Sequence, residues 1–142
     1  MPPEELLKTI CLGDSGCKGI YIDFWKKKIK LKFDCIARVR CSNGKWEYYD
    51  DENFDDGGYV VFSGVESYKI DPMGRFADEF VHSWSIEDIE EDSSGKNIYT
   101  FVFEVYYSVD AIAMILETMT IEIKARELWL EDTKMPGVKI TD

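Results

Sequence analysis

The first residue of the chain that could carry out chemistry is Ser15, which lies in the stretch CLGDSGCKG. A nucleophilic serine needs a base within hydrogen-bond reach and a third group that orients the base. The chain contains one histidine, His82, to supply that base. The glycines around Ser15 suit a turn that connects an opening helix to a first strand. We therefore interpret this stretch as a turn.

The tetrapeptide Gly13-Asp14-Ser15-Gly16 also surrounds the nucleophilic serine of trypsin-like proteases. In those enzymes the His and Asp precede the serine, whereas fourteen residues precede Ser15 here. A family of esterases has Gly-Asp-Ser near the N-terminus, with its Asp and His near the C-terminus of an α/β fold. His82 lies in the middle of this chain. The chain therefore matches neither arrangement of catalytic Ser, His and Asp residues.

Carboxylates form two dense clusters, which we take as candidate partner-binding residues. These residues are Asp50, Asp51, Glu52, Asp55 and Asp56 in the first cluster, and Glu87, Glu90, Glu91 and Asp92 in the second, which also contains Asp88. Clustered carboxylates repel one another until a cation approaches. Two of them could also serve as the acid and base of a hydrolase, but the sequence singles out no pair.

The first cluster partly matches a calcium loop, since Asp51, Asn53 and Asp55 occupy alternate ligand positions. A helix–loop–helix calcium site requires Gly at the sixth loop position and Glu at the twelfth. Asp56 and Phe62 occupy those positions. A solvated acidic turn is the favoured interpretation, and a nonstandard calcium site stays open. We assign no metal ligand and no cofactor.

The four cysteines are Cys11, Cys17, Cys35 and Cys41. Zinc ligands usually come in pairs with two to four residues between them, whereas five residues separate each pair here. Free cysteines are among the most buried residue types. We expect buried thiols rather than a zinc site or disulfides.

The pattern of apolar residues predicts a mainly β fold. From Lys28 to Cys41, apolar residues alternate with charged ones, which predicts a long strand with one buried face that includes Cys35 and Cys41. Asn43-Gly44 predicts a hairpin turn after it. Similar alternation follows in residues 97–109 and 119–125. We expect one domain over residues 1–142: an antiparallel β-sandwich or partly open barrel of seven or eight strands, with a short N-terminal helix.

The charge of the chain limits its partners. The net charge is −11. Residues 1–49 contain ten Lys or Arg and six Asp or Glu, whereas residues 50–142 contain seven Lys or Arg and twenty-two Asp or Glu. Nucleic acid would be repelled by most of this surface, because its binding depends on neutralised phosphates. No apolar run is long enough to span a membrane, and the first residues lack the pattern of a signal peptide. We expect a cytoplasmic protein with a basic protein as partner.

Several short motifs resemble an uncharacterised family of small, acidic, β-rich bacterial proteins. These are Gly13-Asp14 with Cys17, Ile22-Asp23-x-Trp25, Asp34-Cys35-Ile36-Ala37-Arg38-Val39-Arg40, Trp46-x-Tyr48-Tyr49-x-Asp51, Asp71-Pro72 and Leu130-Glu131-Asp132. That family is similar in turn to some immunity proteins of bacterial toxin systems. The resemblance implies a bacterial, cytoplasmic, non-enzymatic protein and supplies no site residues.

Our leading hypothesis is therefore a non-enzymatic module that uses an acidic surface to bind or neutralise a basic partner. The alternative is a β-barrel that binds a metal or a small molecule in an internal pocket lined by Trp84, Tyr99 and Tyr107. A carboxylate-based hydrolase is the third hypothesis. The oligomeric state is not predicted.

Overall fold

The computed structural model describes residues 1–50 and 57–142, and within these residues the chain forms one short helix and eleven strands. The helix is α1 (Pro3–Lys8), and the strands are β1 (Ile10–Cys11), β2 (Cys17–Asp23), β3 (Lys28–Phe33), β4 (Cys35–Val39), β5 (Trp46–Asp50), β6 (Gly58–Ser63), β7 (Ser67–Asp71), β8 (Val81–Glu91), β9 (Asn97–Asp110), β10 (Ile115–Ala125) and β11 (Glu127–Asp132). The mainly β class and the N-terminal helix are confirmed. The expected number of seven or eight strands is too small, because alternating segments divide between sheets.

Three antiparallel sheets contain these strands, and the described strands close no barrel. Two sheets have four strands, in the orders β7-β10-β9-β8 and β11-β6-β3-β2, and the third has the order β1-β4-β5. The apolar faces of the two larger sheets meet in the core. There the ring centroid of Phe62 lies 5.0 Å from that of Phe101 and 5.9 Å from that of Phe103, both edge-to-face.

The long strand predicted from Lys28 to Cys41 is wrong, because the chain changes sheet at Asp34. The main-chain N–H of Asp34 donates to the Gly16 oxygen at 3.1 Å, and the Asp34 carboxylate accepts from the Gly16 N–H at 2.9 Å. These contacts hold Asp34 away from the ladder of β3. The buried parity then reverses, so that Ile36 and Arg38 are fully buried in β4.

The structure also corrects the prediction for the cysteines. All four are free thiols, but Cys17 alone is buried, Cys35 is half-buried, and Cys11 and Cys41 are exposed. Burial raises the pKa of the Cys17 thiol to about 11. The chain therefore has one cysteine of the buried kind that the sequence predicts for all four.

Helix α1 lies beside strand β8, and residues of both line one groove. Leu6 and Leu7 anchor α1 in the hydrophobic core. Among the described strands, β8 is the last strand of its sheet, and its one neighbour there is β9. A bulge interrupts this pairing, since Ile86 lies opposite Phe101 and Asp88 lies opposite Thr100, which leaves Glu87 as the extra residue.

Candidate functional site

Ser15 has a structural role. Its side chain is 5% exposed, and its hydroxyl donates to the main-chain oxygen of Cys35 at 2.5 Å. Its own main-chain oxygen accepts from the Val81 N–H at 2.8 Å. His82 is exposed, and its Nδ1 forms a 2.7 Å hydrogen bond with the Tyr106 hydroxyl. Ser15 therefore ties the turn before β2 to β4 and β8.

Most of the first acidic cluster lies outside the described residues, namely Asp51, Glu52, Asp55 and Asp56, and the calcium interpretation lies there with it. Asp50, at the end of β5, lies within them, and its Oδ1 is 3.4 Å from Lys134 Nζ. Among the described residues, no group of three or more His, Cys, Asp or Glu side chains is placed to hold a metal ion.

The second cluster separates into two parts. Glu90 lies 3.4 Å from Lys124 Nζ. Asp92 forms an ion pair with Arg126 and accepts hydrogen bonds from Ser94 and Lys96 in its own turn. Glu90 is therefore tied to Lys124 of β10, and Asp92 is tied to its own turn and to Arg126, which follows β10. Glu91 is exposed beside them.

Glu87 and Asp88 belong instead to an open groove between α1 and β8, with a volume of about 560 Å³. We call it the α1–β8 groove. Its lining consists of Glu4, Leu7 and Lys8 from α1, and Trp84, Ser85, Ile86, Glu87, Asp88 and Ile89 from β8. The described lining residues therefore include three carboxylates and one lysine together with apolar side chains.

Local structure fixes the walls of the α1–β8 groove. Glu4, Leu7 and Lys8 are spaced as i, i+3 and i+4, which places them on one face of the helix. Trp84 and Ile86 are half-buried and pack against the hydrophobic core. The Ser85 hydroxyl donates to Glu87 at 2.7 Å. One carboxylate oxygen of Glu4, Oε2, is buried without a hydrogen-bond partner among the described residues.

A slightly larger groove, of about 620 Å³, lies between the β2–β3 hairpin and the β6–β7 connection. Its lining contains Asp23 and Glu66 together with Lys27, Lys28 and Arg126. Arg126 already forms a 2.7 Å ion pair with Glu66. Since its charges are mixed and partly paired, this groove selects a charged partner less strongly than the α1–β8 groove does.

The aromatic pocket of the barrel hypothesis is not formed by the three residues expected to line it. Tyr99 and Tyr107 are each 5% exposed and belong to the hydrophobic core, whereas Trp84 lines the open α1–β8 groove. The Tyr107 hydroxyl donates to Glu117 at 2.8 Å. The two tyrosines therefore do not line the groove that Trp84 lines.

Sequence reasoning found part of the groove. It selected Glu87, noted Asp88, and named Trp84 as an aromatic residue that could line a binding pocket. It missed the helical wall, Glu4 above all. The available signal was the opening segment PPEELLK, whose Glu residues lie in the first turn of a predicted helix. The sequence contains no local signal that this helix lies beside β8.

No helix among the described residues is long and apolar enough to cross a membrane. Comparison with known proteins found no match among curated proteins and none among solved structures. A model of a protein family matches residues 1–142, and its description is "Family of unknown function (DUF6258)". The chain therefore belongs to this family of unknown function.

Proposed function

We propose that the protein is a non-enzymatic binding module that captures a basic protein segment in the α1–β8 groove. The observation that carries the proposal is the pairing of carboxylates with an apolar wall in one open groove. Glu4, Glu87 and Asp88 supply negative charge, and Trp84 and Ile86 supply apolar surface. Acidic rims accelerate the encounter with a basic partner, and buried aromatic contacts provide most of the binding energy.

The whole-chain charge supports the same proposal. At −11, the protein attracts basic partners over a distance set by ionic strength. An immunity protein that neutralises a basic toxin would be one instance of such a module. The groove is where the partner would be held, and the remaining acidic surface would steer it there.

A peptide binding assay tests the proposal. The probe is a fluorescein-labelled peptide of about eight residues in which lysine alternates with valine, and the comparison peptide has glutamate in place of lysine. Fluorescence anisotropy at low salt should detect the lysine peptide only. Raising the salt concentration should weaken its binding, because screening reduces the attraction between opposite charges.

Charge-reversal variants test whether the lysine peptide binds in the α1–β8 groove. Glu87→Lys and Asp88→Lys should each raise the Kd by about five- to tenfold, since an attraction becomes a repulsion beside the bound lysines. The matched control is Glu117→Lys, which makes the same charge change opposite Tyr107, on β10 and away from the groove. Equal losses in all three variants, or no binding of the lysine peptide up to about 1 mM, would contradict the proposal.

A further inference from the structure

Resting on this proposed function, we propose that the basic segment binds as an added β-strand along the outer edge of β8. It would lie in the α1–β8 groove with its main chain hydrogen-bonded to β8. Such strand addition gives affinity through main-chain hydrogen bonds and specificity through alternate side chains.

The outer edge of β8 is open. Strand β8 ends its sheet, and its ladder partner is β9. Within residues 1–50 and 57–142, no main-chain hydrogen bond joins residues 82–91 to a segment other than β9. The first strand residue is different, since the Val81 N–H donates to Ser15. Beyond it, the edge presents main-chain donors and acceptors that a further strand could use.

The lining of the groove shows that this edge is its wall. Successive residues of a strand point to opposite faces of the sheet. A groove on one face would therefore contact every second residue, but all six residues from Trp84 to Ile89 line this one. Six residues of strand span about 20 Å, which accommodates an extended segment of similar length.

The bulge at Glu87 determines where an added strand would pair. Regular pairing with β9 runs from Ser83 to Ile86 and again from Asp88 to Glu91. The first run contains Trp84 and Ile86, the apolar part of the groove. We place the added strand there, where its alternate apolar side chains contact Trp84 and Ile86. Its basic side chains then approach Glu87 and Asp88.

Charge also decides between a basic segment and a second copy of this chain. Two β8 edges paired with each other would bring Glu87, Asp88, Glu90 and Glu91 of both copies close together. Like charges opposite one another destabilise strand pairing. A bulge on an edge strand also disfavours the pairing of two such edges. A basic segment removes this repulsion, and a second copy increases it.

Backbone methylation of the lysine–valine peptide tests strand addition. In a strand, the N–H groups of alternate residues point to opposite edges, so all lysine amides lie on one edge and all valine amides on the other. Two peptides are made, one N-methylated at the central lysines and one at the central valines. An added strand bonds along one edge, so one peptide should bind at least about tenfold more weakly and the other should stay within about threefold of the parent.

Amide hydrogen exchange on the protein gives the second readout. Saturation with the parent peptide should slow the exchange of alternate amides in residues 83–86 by about tenfold or more. The amides of β7, at the opposite edge of the same sheet, should be unchanged. Sedimentation of the free protein checks the alternative occupant: a concentration-dependent dimer that protects the β8 amides without peptide would overturn the proposal.

The failure of strand addition can be distinguished from the failure of the proposed function. If both methylated peptides bind alike, or if the β8 amides gain no protection, strand addition is wrong. The proposed function then still stands, provided that binding requires lysine and Asp88. If the lysine peptide does not bind at all, both are wrong.

Discussion

The carboxylate of Asp92 accepts hydrogen bonds from residues of its own turn. Its Oδ1 accepts hydrogen bonds from the Ser94 hydroxyl at 2.6 Å, the Ser94 N–H at 2.8 Å and the Lys96 N–H at 3.0 Å. Its Oδ2 forms an ion pair with Arg126. The hydrogen bonds from Ser94 and Lys96, together with Arg126, hold the pKa of Asp92 well below its usual range.

This lowered pKa predicts how Asp92 contributes to stability at different pH values. A carboxyl group whose pKa is lower in the folded state stabilises the protein above its unfolded pKa of about 3.9, and this contribution is lost as the pH falls through the folded value. Asp92→Asn should therefore lower the melting temperature at pH 7. The difference from wild type should shrink below about pH 4.

Melting curves between pH 7 and pH 2 measure this effect. Glu91→Gln is the matched control, because Glu91 is the exposed residue next to Asp92, at the end of β8. It should melt close to wild type over the whole range. A deficit of Asp92→Asn that stayed constant down to pH 2 would show that the charge of Asp92 is not what stabilises the turn.

At the scale of elements, the sheet change at Asp34 depends on Gly57, which leads into β6. Gly57 has a φ of +119°, and a Cβ atom there would lie 2.2 Å from the main-chain oxygen of Phe33. No side chain fits between these backbones. The close approach lets β6 pair with β3, where Gly58 lies opposite Phe33.

Gly57→Ala should therefore lower the free energy of unfolding by about 3 kcal/mol, through backbone strain together with displacement of β3. The matched control is Gly95→Ala. Gly95 also has a positive φ, of +80°, but no atom lies within 4 Å of its would-be Cβ. That variant should lose about 1 kcal/mol, from backbone conformation alone. Urea unfolding measures both values, and equal losses would show that contact with Phe33 does not matter.

For the whole molecule, the net charge of −11 predicts that salt stabilises the fold. Increasing NaCl from about 10 mM to about 150 mM shortens the screening length from about 30 Å to about 8 Å. Weaker repulsion among carboxylates should raise the melting temperature by about 3 °C, or roughly 1 kcal/mol. The double variant Glu91→Lys and Glu127→Lys, with a charge of about −7, should gain less. A falling melting temperature would show that surface ion pairs dominate instead.

The sequence predicts the elements of this fold better than their arrangement. Alternation correctly assigns the buried face of β9 from Tyr99 to Tyr107 and that of β10 from Met119 to Ala125, whereas Val109 is exposed. It fails at Asp34, since the contact that changes the sheet comes from Gly16, eighteen residues earlier. Arg38 was thus expected to face solvent, but it is fully buried, and its Nη2 donates to the main-chain oxygen of Asp142.

The candidate site, like the fold, is only partly predictable from the sequence. Glu87 and Asp88 stand out as acidic residues, and Trp84 as an aromatic one, but no local pattern indicates that their strand ends a sheet. The position of α1 beside β8 follows from the burial of Leu6 and Leu7 in the common core. Tertiary packing therefore makes the groove, and its two walls are separated by more than seventy residues of sequence.

The fluorescence of Trp84 should change when a segment binds in the groove, because Trp84 lies in the groove wall. Two of the other tryptophans are exposed and one is buried: Trp25 is 97% exposed, Trp46 is 57% exposed, and Trp129 is 3% exposed. Replacing Trp25 and Trp46 with phenylalanine would leave one indole that is already shielded from water and one that a bound segment would shield. The emission wavelength of this double variant would then report groove occupancy without any attached dye.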